Sequence, residues 1–182
     1  MRALTLPLIG TAALGAAMLL DTSTLTSRSK FCANAPYTVA GTSTLDRRTR
    51  PSDNVAHRTI SPGLNAVWCA PRSLTYIVVT VVSSTISSDV ILNLLDDAHT
   101  SVLNHISFHG DSVIADGLFS WRGEHGVMLE TFNTDNHQQT WGVLGAALYA
   151  LGDFMLKLGP EAGACYFTII DGNYQVGRGV IR

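Results

Sequence analysis

The sequence predicts an α+β protein, a two-layer sandwich in which two helices lie on one face of a mainly antiparallel sheet. Three observations favour this class: two segments carry apolar residues at helical spacing, β-branched or aromatic runs lie before, between and after them, and turn-forming residues separate the segments. The predicted order is β-α-β-β-α-β, which is ferredoxin-like, followed by one more C-terminal strand. We assign this domain to residues 73–182.

The first strand and the first helix are distinguished by their periodicity. Residues 74–82 are β-branched and aromatic and too few for a helix of that composition, which predicts a central strand. Ser87, Ser88 and Asp89 then offer an N-cap and a first-turn acid. An amphipathic helix is predicted over residues 89–106, with an apolar face made of Val90, Ile91, Leu94, Leu95, Ala98, Val102 and Ile106.

The middle of the domain is predicted as two strands, at residues 112–121 and 127–132, joined by a turn-rich connection. The second helix is predicted at residues 141–158, before a Gly-Pro stop signal. Asp135, with Gln138 three residues on, forms an approximate capping box ahead of it. The apolar start of this helix is too short to span a bilayer, which indicates a buried core helix.

Two C-terminal strands complete the predicted sheet, at residues 164–170 and 175–181, with a tight turn between them. The region before the domain is rich in Ser, Thr, Pro and Arg and has no sustained period, which predicts mostly loop. Within it, residues 38–40 and 65–68 could each pair as a short strand.

The composition excludes two classes of protein. The chain has 182 residues, with 12 Lys and Arg against 14 Asp and Glu, so its formal net charge is −2. Apolar residues make up 46%, which is enough for a core and rules out wholesale disorder. A near-neutral charge and a pI of about 6.3 argue against a dedicated nucleic-acid-binding protein.

Residues 1–20 are predicted to be a cleaved secretory signal peptide. Arg2 supplies the positive charge, an apolar core follows, and small residues at 15–17 precede a plausible cut before Met18. The alternative is an uncleaved membrane anchor, because about 18 apolar residues would just span a bilayer. Pro7 and two glycines weaken such a helix. We therefore expect a secreted protein that has no membrane association after cleavage.

Secretion gives the three cysteines, Cys32, Cys69 and Cys165, an oxidising environment. Two of them would then pair and leave the third over. A Cys32–Cys69 bond would staple the front region to itself, whereas a bond from either to Cys165 would tie that region to the C-terminal body. The sequence leaves the pairing open.

The net charge conceals an asymmetry between two regions. Residues 21–72 carry seven cations and three acids, a net charge of +4, whereas residues 73–182 carry four cations and eleven acids, a net charge of −7. Two hypotheses follow for the basic, loop-rich segment. It wraps the acidic body and is held by charge and a disulfide, or it is a leader that processing proteases remove at the dibasic pair Arg47-Arg48.

Several strings resemble small secreted proteins of filamentous fungi, a group without an assigned activity. The likeness covers about residues 105–182, and its strings are His109-Gly-Asp111, Asp116-Gly117, residues 136–144, Asp171-Gly172 and residues 176–181. The resemblance implies a fungal secreted origin and carries no catalytic residue over to this chain. Several secreted fungal killer toxins share a two-layer split β-α-β architecture, which is an analogy of fold alone.

The histidines form the constellation with the most chemical interest, because five of the six fall between residues 99 and 137. His105 and His109 are four apart, as in a helical metal site, but the second lies beyond the predicted helix end, so no metal is expected. A hydrolytic site would use His109 with Asp111 or Asp116 as the orienting carboxylate and a serine as the nucleophile, and His137 would share the same cleft. No Gly-x-Ser-x-Gly elbow and no phosphate-binding loop occurs, and no cofactor is expected.

Two functions are therefore carried forward. The first is a secreted, non-catalytic interaction protein, effector- or toxin-like, with an unknown protein or cell-surface partner and no nucleic-acid partner. The alternative is a small secreted hydrolase with a His/Asp site around His109 and His137. Convergence of these side chains in one pocket would favour the hydrolase.

Overall fold

A computed structural model of the protein describes residues 31–42, 65–82, 86–134 and 137–182. These ranges contain two antiparallel sheets and two α-helices, which confirms the predicted α+β class. The predicted signal peptide (residues 1–20) and the dibasic pair Arg47-Arg48 lie outside the described residues.

A six-stranded sheet forms one layer of the domain. Its strands are β3 (Ala66–Cys69), β4 (Thr75–Val81), β5 (Leu118–Arg122), β6 (Met128–Asn133), β7 (Cys165–Asp171) and β8 (Tyr174–Ile181). In space they follow the order β3-β4-β7-β8-β6-β5, and every neighbouring pair is antiparallel. The last strand of the chain therefore lies inside the sheet, between β7 and β6.

Two helices, α1 (Ser88–His109) and α2 (Trp141–Leu158), form the other layer. Alternate residues of β4 face them, so that Ile77, Val79 and Val81 are buried in the same core as the apolar faces of both helices. Along the chain, the elements from β4 onward follow the order β-α-β-β-α-β and then β8. The stretch Trp141–Glu161 is the one described helix long and apolar enough to cross a membrane, and eight residues of α2 are buried in this core.

Two predicted boundaries in the middle of the domain are wrong. The predicted strand at residues 112–121 contains a 3₁₀ turn over Ala115–Gly117, and β5 begins only at Leu118. The turn interrupts the strand because Asp116 and Gly117 have φ values of 58° and 63°. The first helix also continues past residue 106 to His109, where the N–H of Gly110 donates to the carbonyl of Ile106.

The start of α2 also differs from the prediction. Its N-cap is Thr140, whose hydroxyl oxygen accepts a hydrogen bond from the N–H of Val143. Asp135, the first residue of the predicted capping box, lies outside the described residues, and Gln138 is exposed ahead of the helix. The side chain of Gln139 is fully buried and packs against Gly177 of β8.

The front region is attached to the domain through a small second sheet. Its strands, β1 (Phe31–Cys32) and β2 (Ala35–Val39), form a hairpin, and β3 joins the large sheet beside β4. A disulfide links Cys32 to Cys69 of β3. The side chain of Asn34 both donates to the carbonyl and accepts from the N–H of Cys69, at 2.9 and 3.1 Å. Residues 31–42 are thus held against the edge strand.

Candidate functional site

Three aromatic rings stack where the C-terminal end of α1 meets the start of α2. The imidazole of His105 lies 3.8 Å from the indole of Trp141 and 4.6 Å from the imidazole of His109, measured between ring centroids. His105 and His109 share a helical face because α1 is longer than predicted. Among the described residues, no group of three His, Cys, Asp or Glu side chains is placed to hold a metal ion.

The carboxylate of Asp111 binds the start of α2 and not His109. Its carboxylate oxygen Oδ1 accepts a hydrogen bond of 2.7 Å from the N–H of Gly142, one of the free amides in the first turn of the helix. His109 has its own partner, since its Nδ1 lies 3.3 Å from the carbonyl oxygen of His105. A carboxylate placed in this way satisfies the helix terminus.

His137 lies apart from this pair in its contacts. Its ring packs against Tyr174 of β8 with 4.9 Å between centroids. The backbone N–H of His137 donates to the carbonyl of Thr134. Within the described ranges no hydrogen bond joins any two of His109, Asp111 and His137, and all three residues are exposed. The three candidates therefore have separate partners.

His99 lies on α1, away from the ring stack, and its pKa is lowered. Burial lowers the pKa of His99, and the nearby Asp96 carboxylate acts in the opposite direction. The ring lies in a groove between α1 and α2, 6.0 Å from the ring of Tyr149. On the inner side of the groove, the indole N–H of Trp68 donates to Asp153 at 2.8 Å. This contact ties α2 to the edge strand β3.

The structure selects one of the three open disulfide pairings, Cys32–Cys69, and leaves Cys165 as a buried thiol. Burial raises the pKa of Cys165 to about 12, so the reactive thiolate is scarce at neutral pH. The pairing also bears on the leader hypothesis. A cut after Arg48 would leave Cys32 on one piece and Cys69 on the other, and the disulfide would keep the two pieces together.

The sheet surface that points away from α1 and α2 is a second candidate site. We call it the outer face and define it by alternate residues of β5, β6, β7 and β8 and the residue after β8. Leu118, Phe132 and Tyr166 are 47%, 37% and 63% exposed there. The full set is Leu118, Ser120, Arg122, Met128, Glu130, Phe132, Tyr166, Thr168, Arg178, Val180 and Arg182.

Cross-strand pairing fixes the neighbours on the outer face. One row runs from Leu118 through Phe132 and Arg178 to Thr168, and Tyr166 lies in the next row, opposite Val180. A groove of about 490 Å³ runs between the two rows. In the part of the chain that the structure describes, no helix or strand packs over these residues. The β1–β2 hairpin lies at the other end of the same side of the sheet, where Cys32 bonds to Cys69 and Gly41 lies against Gly172.

Charge is segregated between the outer face and the rest of the domain. Three of the four cations of residues 73–182 lie on the outer face, together with one of the eleven acids, Glu130. The face therefore has a formal charge of +2, and the remainder of this region has −9. Glu130 forms an ion pair with Arg182 at 2.7 Å, so the excess positive charge lies on Arg122 and Arg178.

The sequence pattern of these strands indicates the outer face, although no site was predicted there. On β5, β6 and β8, one set of alternate positions carries buried residues such as Phe119, Leu129 and Ile181. The arginines fall on the other set, at Arg122 and Arg178. The alternation identifies two-sided strands. Only the strand order, which the sequence does not provide, assembles them into one surface.

Neither a protein-family model, nor a curated protein, nor a solved structure matches this chain. The resemblance to small secreted fungal proteins thus stays a prediction.

Proposed function

We propose that this chain is a secreted, non-catalytic interaction protein, effector- or toxin-like, that binds a protein partner through its outer face. The observation that carries the proposal is the set of exposed Leu118, Phe132 and Tyr166 around Arg178. Arg122 lies on the same face, opposite Met128. Leu118 and Phe132 are cross-strand neighbours, and Phe132 and Tyr166 line the same groove. Exposed apolar side chains grouped in this way often mark an interaction site. Aromatic residues and arginine are also the residue types enriched at protein interfaces.

Two features support action outside the cell. Residues 1–20 have the order of a secretory signal, with a cation, an apolar core and then small residues. The Cys32–Cys69 disulfide is of a kind that persists in oxidising compartments. The disulfide and the hydrogen bonds of Asn34 also favour the hypothesis that the basic segment wraps the body, at least over residues 31–42.

The hydrolase hypothesis stays a prediction without a geometric argument in its favour. Asp111 caps α2, His109 stacks on His105, and His137 contacts Tyr174. General base catalysis requires a base within hydrogen-bond reach of a nucleophile and a group that orients the base. Neither histidine belongs to the outer face. Replacement of His109 and His137 with Gln should therefore leave binding through the outer face unchanged.

Site-specific photo-crosslinking tests the proposed function. A benzoylphenylalanine photoprobe replaces Tyr166 on the outer face or, as the matched control, Tyr149 on α2, which is 51% exposed. Each protein is added to intact cells of a host to which the wild type binds, and is then irradiated. We expect one saturable cross-linked product from position 166 that excess unlabelled wild type competes away, and none from position 149. The same product from both positions, or none from position 166, would contradict the proposal.

N-terminal sequencing of the secreted chain tests localisation separately. A mature protein that begins after residue 17 supports secretion through signal cleavage. Retention of Met1 in a membrane fraction contradicts it, because the apolar segment would then be an anchor.

A further inference from the structure

We infer that the partner of the outer face is an acidic protein surface, in which carboxylates lie beside apolar or aromatic side chains; this rests on the proposed function. Arg122 and Arg178 are both exposed, and neither guanidinium group has a hydrogen bond or ion pair within the described ranges. Arg182, by contrast, is already neutralised by Glu130. The outer face thus offers two guanidinium groups that are free to take anions.

The identity and neighbours of these cations define the group that they would bind. All cations of the face are arginine, whose planar fork of N–H donors matches both oxygens of a carboxylate. Arg178 lies directly between Phe132 and Thr168 across the strands, with Tyr166 on the adjacent row. A carboxylate bound to Arg178 would therefore lie beside two aromatic rings, which favours an apolar or aromatic side chain next to the acid in the partner.

Charge disfavours the chain itself as the occupant. Residues 1–30 and residues 43–64 each carry a net charge of +2, the same sign as the outer face. Two copies that met face to face would likewise oppose two surfaces of +2. Like charges brought together at an interface disfavour association. The occupant that complements this face is thus a separate, negatively charged molecule.

The distribution of charge favours an acidic protein over a nucleic acid. A nucleic acid extends its phosphates over many contacts, and its affinity depends on how many cations neutralise them. The outer face has two unpaired arginines, and the rest of the region carries −9, which repels a long polyanion. An acidic patch on a folded protein is limited in extent and can be confined to the outer face.

Binding of a defined acidic polymer tests the inference. The probe is a fluorescent copolymer of glutamate and tyrosine, and its anisotropy is followed as the full secreted protein is added at low salt. We expect saturable binding, with the dissociation constant raised about tenfold by Arg178→Gln, the loss expected for one charge-assisted hydrogen-bonded contact. Arg178→Lys keeps the charge but loses the fork and should be intermediate. The control is Lys157→Gln, which removes the exposed cation of α2 and should have no effect.

Four outcomes overturn the inference. One is an absence of copolymer binding in a protein that still cross-links its partner through position 166, and this outcome leaves the proposed function intact. A second is an equal loss from Lys157→Gln and Arg178→Gln, which would indicate unspecific attraction. The others are tighter binding to a short uridine oligonucleotide or to phosphatidylserine vesicles than to the copolymer. Failure of the cross-link at position 166 refutes the proposed function itself.

Discussion

Reduction of the Cys32–Cys69 disulfide should destabilise the fold by an amount that follows from its position in the chain. The bond closes a loop with a sequence separation of 37 residues. In the chain-entropy model, a loop of this length restricts the unfolded chain by about 3.8 kcal/mol at 25 °C. Native disulfides of small secreted domains contribute similar amounts, so we expect a loss of roughly 2–4 kcal/mol in the free energy of unfolding.

Urea denaturation of the same polypeptide, oxidised and reduced, measures this loss without any mutation. With a slope of about 1–3 kcal/mol per molar urea, the midpoint should fall by roughly 1 M or more. Cys165 is a thiol in both samples and does not contribute to the difference. The control is the Cys32→Ala/Cys69→Ala double variant, whose midpoint should not respond to reductant. A difference below about 1 kcal/mol would refute the reasoning, since the loop would then not restrict the unfolded chain as calculated.

Three further predictions concern packing and ionisation. Gly179→Ala should lower the free energy of unfolding by about 1–3 kcal/mol, because its Cβ would lie 2.2 Å from the ring of Phe167. Gly152→Ala has open space around it in α2 and should raise the free energy of unfolding by about 0.5–1 kcal/mol. Thermal melts compare the two variants, and equal effects would contradict the packing. Burial lowers the pKa of His99, so the contribution of its neutral form to stability is complete above the unfolded pKa near 6.5 and is lost as the pH falls through the folded pKa. Between about pH 7.5 and 5, the free energy of unfolding of His99→Gln should therefore depend less on pH than that of the wild type. An unchanged slope would contradict this. Cys165, with a pKa of about 12 and a buried thiol, should resist iodoacetamide in the native protein and react in urea; labelling of the native form would show that it is accessible.

Local sequence patterns were sufficient for most of the elements. The β-branched run at residues 74–82 became β4, and the apolar period of the second helix gave α2 with the predicted bounds. Such patterns report short-range preferences, which each segment carries by itself. The strand predicted at residues 112–121 was wrong because Asp116 adopts a left-handed conformation, which is rare for a non-glycine residue.

Long-range pairing was beyond the sequence. Each strand of β4, β7 and β8 could be predicted, but not that β8 would lie between β7 and β6. The outer face depends on that order, since Phe132 and Arg178 are neighbours only through the pairing of β6 with β8. The predicted histidine site shows a different limit, because nearness in sequence does not bring side chains together. His109 and Asp111 are close in sequence, yet His109 contacts His105, Asp111 contacts Gly142 and His137 contacts Tyr174.

The position of β8 determines when the sheet can form. The chain is made from its N-terminus, and the β3–β4 pair and the β5–β6 pair have no strand in common, so they can join only when β7 and β8 are available. The hydrogen bond from Thr75 to Asp171 alone spans 96 residues, and such distant contacts slow folding. A nascent chain that has not yet released β8 exposes an unpaired strand edge on β6 and another on β7. A chaperone bound to these edges would protect them until the central strand arrives.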